Sequence, residues 1–231
     1  MDEVTEAEET APARPPRSRP VVIAASVIAV LLVGAVIGMF LTQRAMNSDE
    51  QATPGAGSVE VGFAQDMSVH HLQAVTMANW ARDHSTDPQV RQLAFDIQST
   101  QLEQVGRMKG WLMLWGQPEQ TTGAYMTWMS AGGHEMAGMS ATSSSSDAPM
   151  PGMATNAELA KLRSLSGHEL DVYFLQLMLR HHEGGTGMAQ YAHDHTSVAA
   201  VKTLTESILE SQGAEMTLMK QMLTARGAQP L

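Results

Sequence analysis

Two stretches of the chain carry the side chains most able to do chemistry, Met67-x-x-His70-His71 and Met178-x-x-His181-His182. Residues three and four apart share one face of a helix, so each thioether is brought beside a pair of imidazoles. Met77 and His84 follow the first stretch at seven-residue steps, and Met188 and His195 follow the second. Each set continues one slowly drifting helical stripe. Thioether and imidazole donors favour soft ions, copper and above all Cu(I), over Mg, Ca or Mn. The Glu-x-x-His pattern of carboxylate-bridged di-iron bundles is missing, because Met67 and Met178 stand where the glutamates would be.

Methionine is ordinary core filler, and a lone histidine is commonly satisfied by a carbonyl or water. Paired histidines on an inward-facing stripe, present twice, are costly to desolvate without a partner. Metal binding accounts for the set better than packing does. Copper is the expected ion, with silver as its chemical mimic and zinc as the alternative. A third methionine-rich region lies between the two stretches, with Met126 and Met129, then His134, Met136 and Met139, then Met150 and Met153. Its Gly, Ser and Ala background suits a flexible soft-metal clamp, while packing of Trp128 and its neighbouring methionines over a core is the competing explanation. Since imidazole binds metal only when neutral, protons should compete at the paired histidines as pH falls through about 6.

The elements that must hold these side chains repeat. At an offset of 111 residues, Phe63, Gln65, Met67, His70, His71, Met77, Asp83 and His84 return as Phe174, Gln176, Met178, His181, His182, Met188, Asp194 and His195. Leu93, Ile97, Gln101 and Met108 return as Leu204, Ile208, Gln212 and Met219. Such recurrence marks a duplication. Each unit reads as two helices broken once, near Thr86, Asp87 and Pro88 in the first and near Thr196 and Ser197 in the second. Ser166 to Glu169 has the pattern of a capping box. Two amphipathic hairpins bury their apolar faces best against each other. The predicted fold is therefore all-α, a four-helix ferritin-like bundle over 59–231. Repeat one is 59–115, a Met-rich crossover is 116–165, and repeat two is 166–227.

Composition narrows the function classes. A net charge of -10 argues against nucleic acid as a partner. No cysteine is present, so thiolate sites and disulfides are excluded. Residues 21–42 are uncharged and apolar, and at about 1.5 Å per residue they span roughly the 30 Å of a bilayer core. Arg14, Arg17 and Arg19 precede them and Arg44 follows, so the positive-inside bias predicts a single-pass signal-anchor in the cell membrane. Residues 1–20 would form a disordered cytoplasmic tail, 43–58 a linker, and the bundle would face the exterior.

These motifs resemble the domain-of-unknown-function 305 family, through Asp171, Phe174, Met178, His181, His182, Glu183, Gly184, Met188 and Ala189 and onward through Gln212, Glu215 and Met219. Glu60 to Met108 repeats the pattern in weaker form, with Glu60 in place of Asp, Gln104 in place of Glu, and Leu72-Gln73 in place of Glu-Gly. The resemblance implies a ferritin-like helical fold and, for some members, extracytoplasmic copper binding or copper tolerance. If the family Glu orients a ligand, the first unit should bind the more weakly. The expected function is copper sequestration or delivery, with a copper donor or acceptor protein as partner. A ferritin-like metallo-oxidase and a metal-free interaction module are the alternatives, and nothing in the sequence supplies a nucleophile–base pattern for an enzyme. A reporter active only outside the cytoplasm, fused after Leu231, is expected to be active; an inactive fusion would reverse the assigned orientation.

Overall fold

The computed structural model describes residues 19–48, 53–130 and 148–231, with the backbone alone for residues 19 and 45–48. The expected cytoplasmic tail, part of the linker, and His134, Met136 and Met139 lie outside the described residues. The described chain is all-helical, with six α-helices and one 3-10 turn. It divides into two compact units, residues 1–52 and 53–231. The first contains α1, Arg19–Ser48, whose stretch Pro20–Arg44 is long and apolar enough to cross a membrane.

The second unit holds the duplicated hairpins, α2 (Val59–His84) with α3 (Pro88–Leu114) and α5 (Gly167–His195) with α6 (Ala199–Ala225). Local sequence accounts for their ends. Ser58 caps α2 by accepting from the Val61 amide. The Asp87 carboxylate accepts from Gln89 and Val90 and caps α3, and Pro88 fits the first turn, where no amide donor is needed. At α5 the structure departs from expectation: Ser166 makes no side-chain cap bond. The capping box lies earlier, between Thr155 and Glu158, and starts a further helix in the crossover, α4 (Asn156–Ser164). Ser166 has the right neighbours by spacing, but Gly167 takes a positive φ of 54° there, and the chain enters α5 without the box.

α2 and α5 form the central antiparallel pair, with α3 packed on α2 and α6 on α5. Two buried cross-links fix the pair and obey the duplication: Ser85 Oγ donates to Asp171 at 2.6 Å, and Thr196 Oγ1 donates to Glu60 at 2.7 Å. Glu60, one methylene longer than the aspartate at the matching place, makes the same bond. Each hairpin's exit is also pinned alike, as Gln65 donates to the Pro118 carbonyl and Gln176 to the Gln229 carbonyl.

The apolar residues form two clusters. One gathers Met77, Ile97, Phe174, Leu177 and Met178; the other gathers Phe63, Met67, Met108, Met188 and Ile208. The crossover must run from the end of α3 to the start of α5, at opposite ends of the bundle, and it does so as a strap on the α2–α5 seam. Trp128 packs against Phe63 and donates its indole N–H to Asp66. Gln73 grips Ala154 with both amide atoms, at 2.9 and 2.7 Å. Arg180 forks onto Glu158 with two 2.8 Å bonds. Between these anchors, backbone meets backbone: a Cβ on Gly184 would lie 2.2 Å from the Pro151 oxygen and 2.8 Å from the Gly152 nitrogen.

Gly184→Ala should therefore lift the strap and cost about 1–3 kcal/mol in a denaturant titration. Gly213→Ala, where nothing lies within 4 Å, should be neutral or stabilise by up to about 1 kcal/mol. Equal midpoints for the two variants would refute this account of strap docking.

Candidate metal centre

Between the two apolar clusters lies a polar layer contributed by the Met-x-x-His-His turns of α2 and α5 and by the facing turns of α3 and α6. His70, His71, His181 and His182 are all fully buried. The rings of His70 and His181 meet across the seam of α2 and α5, with centroids 3.8 Å apart. Gln101, Gln104 and Gln212 are buried alongside, and Glu215 reaches in from α6.

Each imidazole is bonded through Nε2 to an oxygen. His70 Nε2 meets the Pro151 carbonyl at 3.0 Å, and His181 Nε2 meets the His70 carbonyl at 3.0 Å. His71 Nε2 meets Gln104 Oε1 at 2.7 Å, and His182 Nε2 meets the Glu215 carboxylate at 2.6 Å. Carbonyl and carboxylate oxygens only accept, so the histidines must donate, which places the proton on Nε2. The other nitrogen is then a lone-pair donor atom, and in all four residues that Nδ1 is buried without a hydrogen-bond partner. The side-chain amides of Gln101 and Gln212 are buried and unpartnered too. One ring nitrogen donating to an oxygen while the other is left without a hydrogen-bond partner is the arrangement of metal-ligating histidine.

Burial also keeps His70, His71 and His181 neutral. Desolvation, opposed by the bond to Pro151, lowers the His70 pKa to about 4. Desolvation and the neighbouring His70 lower that of His71 to about 3. Desolvation, with the three other histidines adding to it, holds His181 well below the ordinary value. The expectation of proton competition near pH 6 is therefore shifted to more acid conditions at His70, His71 and His181, which resist protonation within the fold.

The methionines of the two motifs are all buried beside this layer, Met67 and Met188 in one apolar cluster and Met77 and Met178 in the other. The outer histidines are not drawn in. His84 stacks on Trp80 with centroids 3.6 Å apart, and His195 stacks on Tyr191 at 4.0 Å. Both are exposed, and each Nδ1 is bonded to the carbonyl four residues back. Met150 and Met153 are buried in the second apolar cluster with Trp128 and Met129, so packing explains these strap methionines. Among the described residues, no three His, Asp or Glu side chains are grouped as a ready-made ligand set. The donors that the layer does offer are the Nδ1 atoms and the thioethers flanking them.

Sequence reasoning had assigned no role to Gln101. Its recurrence as Gln212, in apolar helix faces, was the available signal, and both amides now line the layer.

The fold and this layer define a duplicated helical bundle with a histidine-rich centre. The chain belongs to the DUF305 family, a domain of unknown function, which matches residues 60–223. It is similar to a DUF305 protein from Streptomyces coelicolor described as secreted, with 44% identity, 77% of this chain and 99% of the other covered, and a TM-score of 0.68. A DUF305 fragment from Deinococcus radiodurans is 33% identical over 74% of this chain and 99% of its own, with a TM-score of 0.58. CopM in a Cu(II)-bound form is 26% identical over 71% of this chain and 94% of its own, with a TM-score of 0.54. A search of curated proteins finds no match to this chain.

The metal-free protein should lose stability in acid. A histidine whose pKa is lower folded than unfolded takes up its proton on unfolding, so its contribution is complete above about 6.5 and is lost as pH falls toward the folded value. Below about 6.5, each such histidine should steepen the loss by about 1.4 kcal/mol per pH unit, down to about 4 for His70 and about 3 for His71. Denaturant midpoints measured from pH 7.5 to 4.5 check this, and a flat profile would contradict the buried neutral layer.

Proposed function

We propose that this chain is a membrane-anchored, extracytoplasmic copper-binding protein that sequesters or hands over the ion. The observation that carries the reading is the set of four fully buried Nδ1 atoms left unpartnered while every Nε2 is bonded to oxygen. An unmade hydrogen bond in a buried core costs about 1–3 kcal/mol; metal coordination by these nitrogens would offset that cost. His70, His71, His181 and His182 would supply the nitrogens, and Met67, Met77, Met178 and Met188 the flanking thioethers. This mixture is suited to Cu(I). CopM, crystallised with Cu(II) bound, lends support from within the same fold. The apolar helix α1 and the Streptomyces relative described as secreted support an exterior location. His134, Met136 and Met139 are retained as auxiliary ligands on the crossover. His84 and His195 are assigned to the bundle's surface, where their exposed rings would at most take part in capture. Met150 and Met153 are assigned to packing.

Competition titrations on the full chain in detergent should show Cu(I) bound more tightly than Zn(II). The double variant His70→Gln with His181→Gln, shown folded by circular dichroism, should weaken Cu(I) by more than the about 10–100-fold expected from losing an orienting partner. Removing Met136 and Met139 should cost less, because the four buried histidines would form the preorganised part of the site. Stoichiometric displacement of Cu(I) by zinc would overturn the assignment.

A further inference from the structure

The 111-residue relation makes the layer nearly twofold, and the few places where it fails fall on one side. It maps His71 and its partner Gln104 onto His182 and Glu215, Gln101 onto Gln212, and Ala74 onto Gly185. His70 lies against Gly185 and Gln212 of the second hairpin, the hairpin that also carries His182 and Glu215, so one half is taken as His70 with His182, and the same relation sets His181 with His71, Ala74 and Gln101.

Three differences separate the halves. The first is the orienting acceptor. Gln104 offers His71 a neutral amide oxygen, whereas Glu215 offers His182 a carboxylate. A carboxylate draws the Nε2 proton more strongly, makes the opposite nitrogen a better donor, and brings negative charge to a place where a cation would be buried. The second is room. A Cβ on Gly185 would lie 3.1 Å from His70 Cε1, 3.4 Å from His70 Nδ1 and 3.3 Å from Gln212 Oε1. Glycine thus leaves a methyl-sized space bounded by two unpartnered polar atoms. In the other half the matching residue is Ala74, whose methyl group is present and fully buried. The third is the strap. His70 is oriented by the Pro151 carbonyl of the crossover, whereas His181 is oriented by a helix carbonyl, that of His70. The strap thus bonds the His70 ring directly, whereas it meets His181 only at the backbone, where Gly152 approaches the His181 Cα.

We propose that the two halves are inequivalent metal positions, and that the first Cu(I) is taken by the half built from His70, His182 and Gln212 beside Gly185, with Glu215 as its positioning residue. The half built from His181, His71 and Gln101 fills second and exchanges first. This rests on the copper-binding reading and adds to it an order of loading and the residues that set it.

The test is a long-range nitrogen–proton NMR titration of histidine-labelled full chain in detergent, with Cu(I) delivered from a competing chelator. The first equivalent should move the Nδ1 signals of His70 and His182 and leave those of His71 and His181 in place. Glu215→Gln keeps an acceptor for Nε2 and so keeps the fold; it should weaken the first step by about 10–100-fold. Gly185→Ala should also weaken the first step, and Gln104→Glu should tighten the second. If all four histidines move together with one affinity, and Glu215→Gln leaves it unchanged, the inequivalence is overturned and the four-histidine centre stands. If no histidine signal moves, the copper-binding reading itself falls, and this inference with it.

Discussion

Four histidines share one dry layer, and the fold gives each of them a partner for only one of its two ring nitrogens. At about 1–3 kcal/mol per unpartnered buried group, that deficit is comparable to the whole net stability of a domain, about 5–15 kcal/mol. Two apolar clusters, one on each side, must supply the offset, and they do so with large side chains that are almost completely buried, Phe63 and Phe174 among them. Burial holds His70, His71 and His181 neutral, which keeps those Nδ1 lone pairs available. If the layer is the proposed metal centre, its preorganisation and the instability of the metal-free protein are the same arrangement.

The duplication explains most of what surrounds that layer, and the crossover explains the rest. Ser85 with Asp171 and Thr196 with Glu60 are one interaction used twice. Symmetry fails where the strap docks. Asp66, which holds the Trp128 indole and the Met126 amide, stands opposite Leu177 in the second unit. Gly62, whose Cβ would lie 2.3 Å from the Trp128 ring, stands opposite Tyr173. Gln73, gripping Ala154, stands opposite Gly184, against which the strap backbone lies. A chain that crosses a twofold pair only once must be recognised differently by its two sides, and these substitutions are that recognition.

The four bundle helices, the breaks at Pro88 and Thr196, and the paired histidines were legible because they rest on periodicity, capping chemistry and repetition, whereas the short α4 of the crossover was not. The outer histidines were not. His84 and His195 continue the stripe by count, but an α-helix drifts by about 20° per heptad, and both lie in the last turn, beyond the buried layer. Stacking on Trp80 and Tyr191 then gives them a local role. The strap methionines misled for a different reason: a thioether is equally at home on a soft ion and in a core, and only burial with Trp128 decides for Met150 and Met153. The partners of the histidines, Gln104 and Glu215, depend on how the hairpins pack and could be placed only by the fold.

Charge balance bears on which ion the proposed centre would hold. Glu215 is the carboxylate bonded into the layer, through His182, while Gln101, Gln104 and Gln212 are neutral and burial holds His70, His71 and His181 neutral. The first Cu(I) to enter would leave the layer with its one positive charge matched by one negative charge. Zn(II) or Cu(II) would leave a buried excess of positive charge, and an uncompensated charge in a dry interior costs several kcal/mol. Thioether softness and charge count therefore select in the same direction. The proposed preference for Cu(I) thus rests on Glu215, which stands opposite the neutral Gln104 of the first unit.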